Sequence, residues 1–202
     1  MTAVTIHGLE PASPWVRRWS HLVKPLGTVL DVACGHGRHA YWFHDRNHDL
    51  TLVDRSKVAI DSIALPAQHC EKVVADIEAG SWPFASRQFD AIVVTNYLWR
   101  PLIPALLASL APGGVLIYET FTEGNASVGK PSRPEFLLRT GELLALCSKL
   151  RVVAFEDGFL DAATDDAHAS RFIQRIAAVN EQAATAIQAP HTNFTPVRYP
   201  LN

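Results

Sequence analysis

The sequence predicts an α/β fold, a doubly wound and mostly parallel sheet with helices on both faces. Two observations predict it. Five short apolar runs alternate with helical segments across residues 28–119, as in a parallel sheet covered on both sides. The first run passes through Cys34-Gly35-His36-Gly37 into a helical segment carrying Tyr41, Trp42 and Phe43. Glycines at 35 and 37 permit a sharp turn and a close ligand approach where a Cβ would collide. A helix opening near Gly37 aims unpaired N–H groups and partial positive charge at that ligand.

The elements follow in order. An amphipathic helix is expected over residues 13–23, then strands at 28–33, 49–53, 72–75, 89–95 and 114–119, giving five βα units in succession. Two further strand-like runs, 151–155 and 171–179, are separated by Asp157-Gly158 and a polar loop without a helical crossover. They are expected as an antiparallel hairpin at one sheet edge. The tail from Glu181, with Pro190, Pro196 and Pro200, reads as extended and partly anchored by Phe194 and Tyr199. A chain of 202 residues accommodates one such domain, divided into a helix at 1–24, a core at 25–180 and a tail at 181–202.

Composition narrows the function. A net charge of −2 leaves no basic footprint for nucleic acid or an anionic membrane. Cys34, Cys70 and Cys147 have no CxxC spacing and read as free thiols of a reducing, cytoplasmic compartment. The N-terminal stretch with Glu10, Pro11, Pro14, Arg17 and Arg18 has no apolar signal core, and the apolar run 102–111 contains Pro104 and is too short to span a bilayer.

Gly35-x-Gly37-x-x-Ala40 also satisfies the dinucleotide fingerprint, so the acids must discriminate. Asp31, Asp54 and Asp76 end the first three strands and face one crevice of a doubly wound sheet. Asp54 is placed to accept from both ribose hydroxyls, and Asp76 from an adenine amine with Ile77 against the ring. Asp31 lies beneath the glycine turn, where a carboxylate repels pyrophosphate and attracts an ammonium or sulfonium. The ligand expected is an adenosine with a cationic, amino-acid-like tail, the chemistry of S-adenosylmethionine.

These residues carry a resemblance. The Leu30-Asp31-x-x-Cys34-Gly35-x-Gly37-Arg38-His39 loop, Ala75-Asp76-Ile77-Glu78, the run 89–97 and the run 110–119 resemble the class I S-adenosylmethionine-dependent methyltransferases. Within them the loop is most similar to the small bacterial tellurite-resistance methyltransferase group. The resemblance covers roughly residues 25–180 and implies a Rossmann-like, seven-stranded sheet whose terminal strand is antiparallel. It also implies cofactor contacts from Asp31, Gly35, Gly37, Asp54, Asp76, Ile77 and Asn96. Ala33-Cys34 stands where a third glycine is common, which affects the shape of the turn. Arg38 is positioned to meet the methionine carboxylate.

Blander readings stand beside these. Cys34 fits a small semi-buried spacer, and His36, His39, His44 and His48 fit packing or solvated roles, no metal-ligand pattern completing a site. Tyr97 and Trp99 are expected to wall the acceptor pocket. Glu119 stands open between a structural partner and a proton acceptor, with Tyr97 the other candidate acceptor. The long polar segment after the fifth strand, 121–134, should cover the acceptor side. Arg100, Lys130, Arg133 and Arg139 offer anion-binding groups there, while Asp161, Asp165, Asp166 and His168 lie on the hairpin loop; solvated loop charge is the competing reading.

The expected acceptor is a small molecule, an anion or a metalloid oxyanion being preferred, since the chain lacks the Asn-Pro-Pro-aromatic motif of nucleic-acid amino-methylating enzymes. A nicotinamide-dependent oxidoreductase and a non-catalytic methyltransferase-like binding module are the rival readings. Oligomeric state is left open.

Overall fold

A computed structural model describes residues 10–162, 169–181 and 197–201. Its centre is a seven-stranded sheet in the order β3-β2-β1-β4-β5-β7-β6. The strands are β1 (Thr28–Val32), β2 (Asp49–Asp54), β3 (Cys70–Val74), β4 (Phe89–Thr95), β5 (Leu110–Phe121), β6 (Arg151–Leu160) and β7 (Arg171–Val179). Neighbours from β3 to β5 run parallel, while β7 is antiparallel to both β5 and β6. The terminal hairpin therefore lies at one edge, with β6 outermost. The order reverses between β1 and β4, where Val32 pairs with Val94, and this places a switch-point crevice beyond their carboxyl ends.

Side chains alternate across the pleat. One layer combines Val29, Val93 and Ile117 with α1 (Pro14–Trp19), α2 (Arg38–His44) and α3 (Lys57–Asp61) through Trp15, Trp19, Phe43 and Ile60. The other combines Leu30, Ile92 and Leu116 with α4 (Ile103–Ala108) and α5 (Glu142–Leu146) through Ile103, Leu106 and Leu143. Helices cover both faces.

Three expectations need correction. The first helix is shorter than 13–23: Ser13 caps it by accepting the Trp15 N–H at 3.2 Å, and it tightens into a 3₁₀ turn at Ser20–Leu22 because Lys24 precedes Pro25 and is biased out of helical geometry. The expected run of five βα units is interrupted between β3 and β4, where residues 75–88 contain turns and no helix. Gly80 and Pro83 disfavour one, and the edge-to-face aromatic cluster Trp82–Phe84–Phe89, with centroids 5.0 and 5.6 Å apart, fills the layer instead. β5 and β6 are longer than the runs 114–119 and 151–155: pairing with β7 carries β5 on to Phe121 and β6 to Leu160, and Leu110 at the start of β5 pairs with Phe89 of β4.

In the tail, Tyr199 packs against the first layer and its hydroxyl donates to Glu181 at 3.0 Å. Phe194, Pro190 and Pro196, like Asp165, Asp166 and His168 of the hairpin loop, lie outside the described residues.

Candidate active site

The carboxyl ends of the parallel strands shape a bent cleft. Its larger part, about 420 Å³, is lined by Asp54 after β2, Asp76, Ile77 and Glu78 after β3, and Thr120 and Phe121 at the end of β5. Its smaller part, about 240 Å³, is lined by Cys34, Gly35, Arg38 and His39. Ala33, Asn96 and Tyr97 border both parts and so form the bend.

The backbone there is held in unusual conformations. Ala33 (φ 52°) and Asn96 (φ 55°) are left-handed non-glycine residues at the ends of adjacent strands, a conformation disfavoured outside glycine that concentrates at functional sites. Gly35 (φ 54°) and Gly37 (φ 78°) share it. Gly37 does not line the cleft; it caps α2, and a Cβ there would come within 2.9 Å of Ile63 Cδ1.

Each acid has a definite setting. Asp54 accepts the Gly35 N–H at 2.9 Å on one oxygen and the Ser56 N–H at 2.8 Å on the other, so it braces the glycine turn while facing the cleft. Asp76 accepts the N–H groups of Glu78 and Ala79 at 2.9 and 3.1 Å, and these bonds lower its pKa. Asp31 is buried beneath the turn, and its Oδ2 has no hydrogen-bond partner. Burial pushes its pKa up to about 7, against the nearby Arg38 cation, with Asp54 adding to the rise. An orphaned buried carboxylate oxygen beneath a glycine turn suits a cationic ligand group and disfavours pyrophosphate.

Arg38 borders the smaller part and pairs with Glu10 at 3.5 Å. His39, read from sequence as packing, also lines that part. Its Nε2 accepts the Ser13 N–H at 3.3 Å, which assigns the ring proton to Nδ1. Burial pulls its pKa down to about 3, and Arg38 adds to the fall, so the ring is neutral. The signal was its place in the first turn after the glycines, beside Arg38.

Other assignments change. Glu119 lies outside the cleft lining: Ser13 Oγ donates to its Oε1 at 2.9 Å and Arg175 approaches Oε2 at 3.5 Å. It ties the first helix to the sheet. Tyr97 does face the cleft, but burial, with Glu78 nearby, pushes its phenol well above the usual range, and the hydroxyl makes no hydrogen bond of good geometry. It stays protonated, so it does not serve as a base. Trp99 packs into the second core layer instead of walling the cleft. Arg100 is committed to Glu142, at 2.6 and 2.9 Å, and to the carbonyls of Glu135 and Leu137, so it is unavailable to an anion. Arg133 borders an outer groove with Lys130, whereas Arg139 borders none of the described cavities. Among the described residues no cluster of three metal-ligating side chains occurs.

Residues 29–114 match the model of a family described as a methyltransferase domain. The match covers less than half of the chain. The chain's fold is that of the S-adenosylmethionine-dependent methyltransferases. TehB from Haemophilus influenzae superposes with a TM-score of 0.64 at 19% identity, over 79% of this chain and 59% of that one. The S-adenosylmethionine-dependent methyltransferase from Mesorhizobium loti gives 0.63 at 15%, over 83% and 98%. The glycopeptide N-methyltransferase MtfA, solved with S-adenosyl-L-homocysteine, gives 0.58 at 18%, over 85% and 90%. No curated protein sequence matches the chain. The domain match spans β1 to the start of β5, the stretch that supplies most of the cleft. None of these findings favours the oxidoreductase or the non-catalytic module.

Proposed function

We propose that this methyltransferase binds S-adenosylmethionine along the bent cleft and transfers its methyl group to a small-molecule acceptor. The observation that carries the reading is the buried, unpartnered Asp31 oxygen behind the cleft, whose own lining holds Asp54 and Asp76 but not Asp31. Asp54 would hold the ribose, Asp76 and Ile77 the adenine, and Gly35, Asn96, Asp31 and Arg38 the amino-acid tail. Residues 25–180 are read as the catalytic core, and the buried free cysteines fit a cytoplasmic setting. Among the described residues no helix is long and apolar enough to cross a membrane.

The cofactor supplies a methyl carbon already activated by its sulfonium. Such a carbon would be open to in-line attack by an acceptor lone pair, with the C–S electron pair left on sulfur, and Asp31, Asp54, Asp76 and Arg38 would hold the cofactor for it. The protein's contribution is alignment and exclusion of water. Tyr97, at the bend and protonated, orients rather than deprotonates. Calorimetric titration of protein freed of carried-over ligand with S-adenosylmethionine and S-adenosylhomocysteine tests the reading. Binding of both is expected; no binding by folded protein overturns it.

A further inference from the structure

Past Thr120 and Phe121 the cleft opens into a groove lined by Phe121, Lys130, Pro131, Ser132, Arg133 and Phe136. Phe121, Pro131 and Phe136 also line the main cleft, so groove and cleft are continuous.

The groove wall is held from both ends. The Asn125 side chain, 1% exposed, donates to the Pro131 carbonyl at 3.0 Å and accepts the Phe172 N–H of β7 at 3.2 Å. Arg100 grips the carbonyls on either side of Phe136, those of Glu135 at 3.0 Å and Leu137 at 2.7 Å. The strap closes on the sheet where the Leu138 N–H donates to Phe121 and the Glu123 N–H to Leu138, each at 2.9 Å. Two phenyl rings and a proline are thereby fixed beside the cleft, so a flat guest would not have to order them.

Charge is divided along the same line. The main cleft is bordered by three carboxylates, Asp54, Asp76 and Glu78, with one cation, Arg55, whereas the groove has Lys130 and Arg133 and no carboxylate in its lining. Arg133 lies over the Phe136 ring, 4.6 Å from its centroid, and pairs with Glu135 at 3.4 Å. Both cations are exposed.

We propose that the methyl acceptor is a small aromatic anion. Its ring lies against Phe121, Pro131 and Phe136, its carboxylate or equivalent anionic group faces Lys130 and Arg133, and its nucleophilic end points toward Tyr97. This rests on the methyltransferase reading above. A cationic amine of the same shape meets like charge at the rim, and a neutral one forgoes the attraction.

The test uses protein saturated with S-adenosylhomocysteine and three probes with one ring, 4-hydroxyphenylacetate, 4-hydroxyphenylacetamide and tyramine, titrated calorimetrically. The carboxylate is expected to bind about tenfold more tightly than the amide, with tyramine weakest and the preference shrinking as salt is raised. The double variant Lys130→Ala, Arg133→Ala should erase the preference and leave S-adenosylhomocysteine affinity unchanged, while Phe136→Ala should weaken the carboxylate and the amide alike. Equal affinities, tighter tyramine, or no binding of any probe to protein that holds S-adenosylhomocysteine overturns the proposal. Loss of S-adenosylhomocysteine binding itself strikes the cofactor reading instead.

Discussion

The two ends of the cleft are built differently. The inner end is assembled from the ends of four parallel strands, with backbone turned left-handed at Ala33, Gly35 and Asn96 and with carboxylates around it. The outer end is one strap after β5, set by the polar bonds of Asn125 and Arg100 and edged with cations. A sheet holds the first through many neighbours at once, whereas a few hydrogen bonds hold the second. Variants should therefore separate them, the inner end responding in cofactor affinity and the outer end in acceptor affinity.

The largest effect is expected at Asp31, whose pKa burial raises to about 7, Arg38 opposing and Asp54 assisting. An unfolded aspartate ionises near pH 4, so between about pH 4 and 7 the unfolded chain has lost a proton that the folded one keeps. Stability of the cofactor-free protein should then fall as pH rises through that window, by roughly 4 kcal/mol in all. Affinity for a cationic ligand should rise over the same range, because the ligand favours the ionised carboxylate. Denaturant titrations across this window should show that slope, and Asp31→Asn should flatten it; an unchanged slope would mean that another group titrates.

Next is Asp54→Ala, which removes the brace on Gly35. Cofactor affinity should drop by about 1–3 kcal/mol with the acceptor preference intact, measured by calorimetry on both ligands. At the outer end, Asn125→Ala should cost about 1–3 kcal/mol of stability by leaving the Phe172 N–H and Pro131 carbonyl without their partner. It should raise the acceptor KM while the S-adenosylmethionine Kd stays constant; a parallel loss in both would show that the two ends are not separable. The smallest effect is expected from Glu119→Gln, about 1 kcal/mol of stability through weakened ties to Ser13 and Arg175. Turnover and its pH profile should be unchanged, and a lost basic limb would return Glu119 to a catalytic role.

Sequence reasoning served the inner end better than the outer. Glycines, strand-end acids and a short apolar run are local signals, and the runs 89–95 and 171–179 coincide with β4 and β7. Asp54, Asp76, Ile77, Gly35 and Asn96 lie along one cleft because parallel strands bring their carboxyl ends to one side. The outer end depends on contacts far apart in sequence. Arg100 looked like a free cation at a loop; its partner Glu142 is 42 positions away. Phe136, Pro131 and Asn125 carried no local signal, since nothing near them in sequence shows that β7 and Arg100 would hold them.

By itself the sequence determined the layering and the succession of strands, since periodicity and backbone preference act over a few residues. The tertiary structure decided which charges are spent and which face the cleft. Glu119 meets Ser13 across 106 positions and Arg175 across 56, while Asp31 is left with an unpartnered oxygen. Pairing between charges depends on distance in space, and only the closed sheet sets those distances.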